Sequence, residues 1–149
     1  MSGLAPRRLF RALATAEALT WALLLTGMAA KYTGLTELGV RVFGMLHGVV
    51  FIGYCLAVLL VGLDRRWSVA RLALGLAAAV PPFATLPFER YAEARGLLGQ
   101  RWRLRTEQPR GLHEMLVARL VGRPLQGALA GLLAVAGLTA VALLVGPPV

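Results

Sequence analysis

Cysteine, histidine and acidic residues are scarce in this 149-residue chain, and their scarcity removes several classes of function. Cys55 is the only cysteine, so the chain forms no internal disulfide and offers no cysteine-rich zinc site. The two histidines, His47 and His113, lack the Cys/His/Asp spacing of a metal centre. No serine or cysteine nucleophile accompanies Glu17 and His47, and no glycine-rich phosphate loop occurs. We therefore expect no metal, no cofactor and no enzymatic activity.

What the chain has instead is apolar residues in long runs. Hydrophobic residues make up 58% of the sequence, and the mean hydropathy is +0.69. The runs at 9–30, 42–63, 72–88 and 124–146 are each about long enough to cross a hydrocarbon core of roughly 30 Å as a helix. They are rich in leucine and alanine, and they lack the alternation of a barrel strand. The sequence therefore predicts an all-α, multi-pass membrane bundle.

The third run is the least regular of the four. It is short and contains three prolines, at positions 81, 82 and 87, which kink a helix and free its backbone carbonyls. We predict a three-helix membrane domain at 7–91, a basic, partly amphipathic connection at 92–123 and a fourth transmembrane helix at 124–146. The alternative is that 72–88 re-enters the membrane without crossing it, which requires protein or water around it.

The first run also has a second interpretation, in which it forms a cleaved signal peptide together with the basic tail before it. Glu17 interrupts its apolar stretch, and a signal peptide has no such charge at its centre. We therefore interpret 9–30 as a retained span.

Basic residues outnumber acidic ones by 16 to 7, and the formal net charge is +9. Because the arginines lie between the apolar runs, they indicate contact with anionic lipid headgroups and not with nucleic acid. The candidates for contact with headgroups or with a partner are Arg101, Trp102, Arg103 and Arg105. The end of the connection places Leu116, Val117, Leu120 and Val121 on one helical face, which predicts an amphipathic helix in the membrane interface.

The orientation in the membrane depends on the third run. With four spans, the basic residues divide about 6 and 10 between the two sides, which leaves both orientations open. If the third run re-enters, they divide about 14 and 2, and the larger number is expected inside.

Ionisable residues within the predicted spans are candidate functional residues, because a charge at the bilayer centre costs roughly 2.5–3.5 kcal/mol. From the face next to the 31–41 connection, the helical rise places Glu17 roughly 20 Å deep, Tyr54 about 18 Å and His47 about 7–8 Å. We therefore predict a hydrogen bond between Glu17 and Tyr54. If the third run crosses, we predict a polar cluster of Lys31, His47 and Glu89 at one membrane face.

Two pairs of glycines are spaced four residues apart within the spans. They are Gly44 with Gly48 in the second run and Gly127 with Gly131 in the fourth. Small residues at this spacing let helix backbones approach one another. We predict that these pairs serve packing within the chain, with dimerisation as the alternative.

These residues resemble the pattern of a known bacterial family, the small integral membrane proteins described as domain of unknown function 3817. The resemblance covers about residues 7–91 and lies in Phe10-Arg11, Ala16-Glu17-Ala18, Lys31-Tyr32, Gly44, His47-Gly48, Phe51, Tyr54, Pro82-Phe83, Thr85 and Glu89-Arg90. It implies a three-helix membrane domain with no established activity, in a bacterial cell (inner) membrane. It also implies a spanning third segment. The chain departs from the pattern by adding about residues 92–149.

Two classes of function fit these observations. One is a structural or accessory membrane subunit that belongs to a larger membrane complex or a homo-oligomer. The alternative is a small transporter or proton-linked carrier that uses Glu17, His47, Lys31 and Glu89 as a polar path. A water-filled cavity joining Glu17 to His47 would favour the carrier, and a dry, close-packed interior would favour the subunit.

Overall fold

A computed structural model of the chain describes residues 4–146, and the regular secondary structure in this range is all helical. Six α-helices and one 3₁₀ helix follow one another there, with no strand between them. They are α1 (Pro6–Tyr32), α2 (Leu38–Asp64), α3 (Val69–Ala77), α4 (Thr85–Ala94), the 3₁₀ helix (Arg103–Arg105), α5 (Leu112–Gly122) and α6 (Pro124–Val145). The predicted all-α fold is confirmed.

Helices α1 and α2 form a long antiparallel hairpin that is the frame of the fold. The chain turns between them at Gly34, whose positive φ of 78° suits a residue without a side chain. Close to this turn the two backbones nearly touch, since a Cβ added to Gly27 would lie 2.7 Å from the carbonyl carbon of Gly39. Glycine at both positions therefore sets the separation of the two helices.

Aromatic side chains fill the core at the opposite end of this hairpin. The ring of Phe10 is fully buried, and its centroid lies 5.6 Å from that of Tyr54 and 5.9 Å from those of Trp67 and Phe88. The four rings come from α1, α2, the turn after α2 and α4. Tilted and edge-on ring contacts of this kind stabilise a core beyond the area they bury.

The third apolar run is broken into two short helices. Ser68 caps the start of α3, which ends before Pro81 because proline cannot continue a helix. Phe83 has a φ of 65°, and α4 begins two residues later, at Thr85. Helix α3 has 9 residues and α4 has 10, so each is too short to cross a bilayer. The prediction that 72–88 is a spanning helix is therefore wrong.

The segment from α3 to α4 enters the bundle and returns to the face from which it came. Near its tip, the indole of Trp21 donates to the carbonyl of Ala79 at 3.4 Å, roughly 22 Å along α1 from its first residue. From there α4 runs antiparallel to α1, in contacts that pair Thr85 with Ala14, Glu89 with Arg11, and Glu93 with Arg7 and Arg11. We call residues 69–94 the re-entrant hairpin.

Three helices in the described range are long and apolar enough to span a membrane, and they are α1, α2 and α6. The prediction of four spans is therefore corrected to three. Helix α6 packs on α2 and buries none of its residues fully, so most of its surface faces outward. The most apolar stretch of α6, like those of α1 and α2, is suited to contact with lipid.

The predicted basic connection folds onto the face where α1 begins and α2 ends. The indole of Trp102 donates to the carbonyl of Leu4 at 2.8 Å, and that of Trp67 donates to the carbonyl of Leu97 at 3.1 Å. Helix α5 then turns Val117 and Val121 inward, where both are buried. Its outer side exposes Leu112, Met115 and Leu116, so the predicted apolar face is divided between the core, which takes Val117 and Val121, and the surface, which takes Leu116.

Candidate functional site

Two polar side chains of the spans, those of Tyr54 and Trp21, bind the re-entrant hairpin. The hydroxyl of Tyr54 donates to the carbonyl of Gly75 at 3.0 Å. Gly75 lies in the last turn of α3, where carbonyls have no partner within the helix. Trp21 donates to Ala79 in the same way. Because hydrocarbon supplies no hydrogen bonds, these two donors satisfy backbone groups that the broken helix leaves open.

Glu17 and Thr85 connect α1 to the returning helix α4. The hydroxyl of Thr85 donates to the carbonyl of Ala14 at 2.9 Å and lies 3.3 Å from Oε2 of Glu17. Glu17 has no exposed surface, and its Oε1 has no hydrogen-bond partner among residues 4–146. The predicted bond from Glu17 to Tyr54 is not formed, because the hydroxyl of Tyr54 is used by Gly75.

His47 lies next to Glu17's turn of α1, although the sequence estimate placed it much nearer the membrane face. Its Nδ1 is 3.0 Å from the hydroxyl of Thr20, which also donates to the carbonyl of Glu17 at 2.9 Å. Its ring centroid is 4.6 Å from that of Trp21. Helix α2 begins at Leu38, four residues earlier than predicted, and this difference moves His47 about 6 Å deeper.

The predicted cluster of Lys31, His47 and Glu89 does not form. Glu89 pairs with Arg11 at 3.1 Å near the start of α1, while Lys31 lies in the last turn of that helix. Twenty residues of helix, roughly 30 Å, separate those two levels. Throughout residues 4–146, no three His, Cys, Asp or Glu side chains gather closely enough to hold a metal ion.

Three of the four predicted packing glycines lie in roomier positions than expected. A Cβ added at Gly48 or Gly131 would meet nothing within 4 Å, and one at Gly44 would meet only the side chain of Leu24 at 3.8 Å. A Cβ at Gly127 would meet the backbone of Leu120, where α5 turns into α6. The close backbone contact between spanning helices is the one between Gly27 and Gly39, and Gly127 makes a second close approach, from its added Cβ to the carbonyl oxygen of Leu120.

Loss of the Tyr54 hydroxyl is expected to destabilise the chain. Tyr54→Phe keeps the ring packing but leaves the carbonyl of Gly75 without its donor, which costs about 1–3 kcal/mol for a buried group. The midpoint of thermal unfolding in detergent should fall by several degrees. Tyr32→Phe is the matched control, because Tyr32 is 77% exposed. Equal midpoints for the two variants would contradict a role for the hydroxyl.

A second polar group, an ion-pair network, holds the basic connection to the end of α2. Glu114 accepts from Nε of Arg66 at 2.8 Å, from a guanidinium nitrogen of Arg103 at 2.9 Å and from the backbone N–H of Arg110 at 2.7 Å. The carboxylate of Asp64, fully buried, accepts the backbone N–H groups of Arg103 and Leu104. Sequence reasoning missed this network because its partners are up to 48 residues apart.

The residues predicted to touch headgroups or a partner divide into two kinds. Trp102 is buried against Leu4, and the side chain of Arg103 is only 12% exposed within the ion-pair network. Arg101 and Arg105 lie on the surface, although Nε of Arg105 also donates to the carbonyl of Val121 at 3.0 Å. Of the four, only Arg101 and Arg105 are therefore placed to reach an external group.

Glu114 makes the stability of this network depend on pH. The side-chain hydrogen bond from Arg66, with that from the Arg110 backbone, lowers the pKa of Glu114 from 4.5 to about 2. A carboxyl with a lowered pKa stabilises the fold above its ordinary pKa, and this contribution is lost as the pH falls toward 2. We expect Glu114→Gln to unfold at a lower temperature than the original chain at pH 7. The difference should shrink between pH 4.5 and 2, and an unchanged difference would contradict the assignment.

Comparisons with known proteins identify relatives but no solved structure. A family model with the description Domain of unknown function (DUF3817) matches residues 7–94. A curated protein of Streptomyces coelicolor, named "Putative membrane protein SCO5905", is 48% identical over 95 residues. The match covers 62% of this chain and 11% of the relative, so the chain spans about a tenth of that protein's length. No solved structure matches the chain significantly.

Proposed function

The chain belongs to the family described as Domain of unknown function (DUF3817), and we propose that it is a structural or accessory subunit of a larger bacterial membrane complex. One observation carries the proposal. Two polar side chains inside the bundle, those of Tyr54 and Trp21, hold the re-entrant hairpin through the carbonyls of Gly75 and Ala79. Polar side chains that donate to backbone carbonyls stabilise the fold, and few polar side chains then remain to line a transport path.

The burial of these residues supports the same proposal. Glu17 has no exposed surface and His47 is 9% exposed. A path for a solute or a proton needs groups that water can reach from both membrane faces in turn. Lys31 and Glu89, which the carrier hypothesis requires on one path, lie near opposite ends of α1.

The length of the Streptomyces coelicolor protein is consistent with a subunit. There, a stretch 48% identical to this chain makes up 11% of a much longer protein that is named as a membrane protein. A domain that is joined covalently to a longer membrane chain in one protein is well suited to bind such a chain in another. We propose a membrane protein as the partner, with self-association as the other form of assembly.

A proton-linked carrier is the second candidate, and one observation favours it. Oε1 of Glu17 is buried and has no hydrogen-bond partner among the described residues, so it can accept a proton or a hydrogen bond. His47 lies one hydroxyl away, through Thr20. We rank the carrier second, because the neighbouring groups are otherwise engaged in packing.

Two measurements on the same protein separate the candidates. The full chain, purified gently from its source membrane, should migrate on a native gel well above its 15.9 kDa mass and should carry one protein in a fixed ratio. In vesicles that contain a pH-sensitive dye, the chain alone should give no more proton flux than empty vesicles. A flux that Glu17→Gln abolishes and Glu37→Gln preserves would overturn the subunit proposal in favour of the carrier.

We also propose an orientation with the basic face in the cytoplasm. The re-entrant hairpin returns to the face where α1 begins, so all 16 basic residues except Lys31 and Arg41 lie on that side. Loops rich in lysine and arginine stay on the cytoplasmic side. The turn between α1 and α2 then faces the outside.

Cysteine labelling in intact cells tests this orientation. In a Cys55→Ser background, Thr36→Cys should react with a membrane-impermeant maleimide, because Thr36 lies exposed between α1 and α2. Thr106→Cys, which is also exposed, in the basic connection, should react only after the membrane is permeabilised. The reverse pattern would refute the proposed orientation.

A further inference from the structure

A cleft lined by arginines lies where α1 begins, at the basic face. Its volume is about 660 Å³, and its walls come from the start of α1 and from residues 100–106 of the connection. We call it the arginine cleft, after the arginines that line it, which are Arg7, Arg8, Arg11, Arg101 and Arg105. No acidic residue is among those that line it in the part of the chain that the structure describes.

The walls of the arginine cleft are fixed by hydrogen bonds. The backbone N–H of Arg7 donates to the carbonyl of Gly99 at 3.1 Å, and the indole of Trp102 donates to the carbonyl of Leu4 at 2.8 Å. The connection is thereby attached to the first turn of α1. These hydrogen bonds hold the cleft in shape. Its arginines come from two separate segments of the chain and lie near one another because the two segments are joined.

The charge of the cleft is only partly balanced within the chain. Arg7 and Arg11 form ion pairs with Glu89 and Glu93 on α4. Arg8, Arg101 and Arg105 make no ion pair with any residue in the range 4–146. Three guanidinium groups around one concave space attract a group with concentrated negative charge, and phosphate matches their fork of N–H donors.

The position of the cleft selects a lipid as the source of that phosphate. It opens where a spanning helix begins, which is the level of the lipid headgroups. Below Arg8, the exposed residues Ala12, Thr15 and Leu19 follow at helical spacing along one side of α1. Two of these three side chains are small, so they leave a shallow apolar strip on which an acyl chain can lie.

We propose that the arginine cleft is a binding site for the phosphate headgroup of an anionic phospholipid, with one acyl chain along Ala12, Thr15 and Leu19. The site lies apart from the buried polar residues, and it does not depend on the proposed subunit function. It makes the chain a receptor for a particular lipid class at the cytoplasmic leaflet, where negative headgroups attract basic segments.

Native mass spectrometry of the full chain in detergent tests the site with phosphatidylglycerol as the probe. The chain should retain phosphatidylglycerol in preference to phosphatidylcholine. Arg8→Gln with Arg101→Gln should weaken retention by about a hundredfold, since each of the two lost charged hydrogen bonds costs about a factor of ten or more. Arg90→Gln with Arg119→Gln removes the same charge from exposed positions on the same face and should change retention less than about twofold. Equal retention by the two double variants would overturn the proposal.

A third variant separates a lipid from a free phosphate. Ala12→Trp covers the apolar strip and leaves every arginine in place. It should weaken binding of phosphatidylglycerol while leaving any binding of inorganic phosphate unchanged. If Ala12→Trp has no effect and inorganic phosphate competes as well as the lipid does, the cleft is a site for a soluble phosphate and the lipid proposal is overturned.

Discussion

Gly27→Ala is expected to separate the two longest helices and to destabilise the chain strongly. The added Cβ would lie 2.7 Å from the carbonyl carbon of Gly39 and 2.9 Å from the backbone nitrogen of Val40. Backbone atoms cannot rotate away as a side chain can, so α1 and α2 must move apart. Overpacking of this kind costs about 1–3 kcal/mol or more. The midpoint of thermal unfolding, measured by tryptophan fluorescence in detergent, should fall by roughly 5–10 °C.

Gly48→Ala is the matched control for this prediction. Gly48 also lies within a spanning helix, but a Cβ there would meet nothing within 4 Å. Because alanine favours a helix over glycine by about 1 kcal/mol, this variant should be as stable as the original chain or slightly more so. Equal losses at the two positions would show that Gly27 is not a special point of contact.

Asp64→Ala is expected to release the basic connection from the end of α2. The Asp64 carboxylate is fully buried and accepts from the backbone N–H of Arg103 at 3.1 Å and of Leu104 at 3.0 Å. Hydrogen bonds to a charged group contribute about 1.5–3 kcal/mol each, so the loss of both amounts to roughly 3 kcal/mol. The connection should open more often, and trypsin should cleave its arginines at least about tenfold faster.

Two further variants make the trypsin experiment specific. Asp64→Asn keeps one oxygen acceptor and should give an intermediate cleavage rate. Glu37→Ala removes an exposed carboxylate at the opposite face, where it pairs with Arg41, and should leave the rate unchanged. A cleavage rate in Asp64→Ala that equals the rate in Glu37→Ala would show that Asp64 does not hold the connection.

Hydropathy located the three spanning helices but not the path of the third run. The predicted runs at 9–30, 42–63 and 124–146 correspond to α1, α2 and α6, whose ends differ from them by at most four residues. An average over 72–88 cannot distinguish one crossing helix from two short helices that meet at a turn. The prolines within 72–88 were the local sign that the helix breaks there. The resemblance to a three-helix family favoured a third crossing instead.

The polar site was predictable in its residues and not in its pairing. Glu17, Tyr54 and His47 do lie inside the bundle. The partners of Glu17 and Tyr54 come from the re-entrant hairpin, whose path a residue count could not provide. Those of His47 are Thr20 and Trp21 on α1. Trp21 was missed, although its position carried a signal. Tryptophan is usual at membrane interfaces, and an indole N–H at mid-span requires an acceptor.

The half-depth path of the re-entrant hairpin gives the two leaflets unequal shares of protein. Among residues 4–146, α3 and α4 add to α1, α2 and α6 in the basic half of the membrane, whereas the other half contains those three helices alone. The protein therefore has a wedge-shaped profile, broader at the end that carries the arginines. A wedge occupies more area in one leaflet than in the other, and it fits best where the broader leaflet is on the outside of a bend.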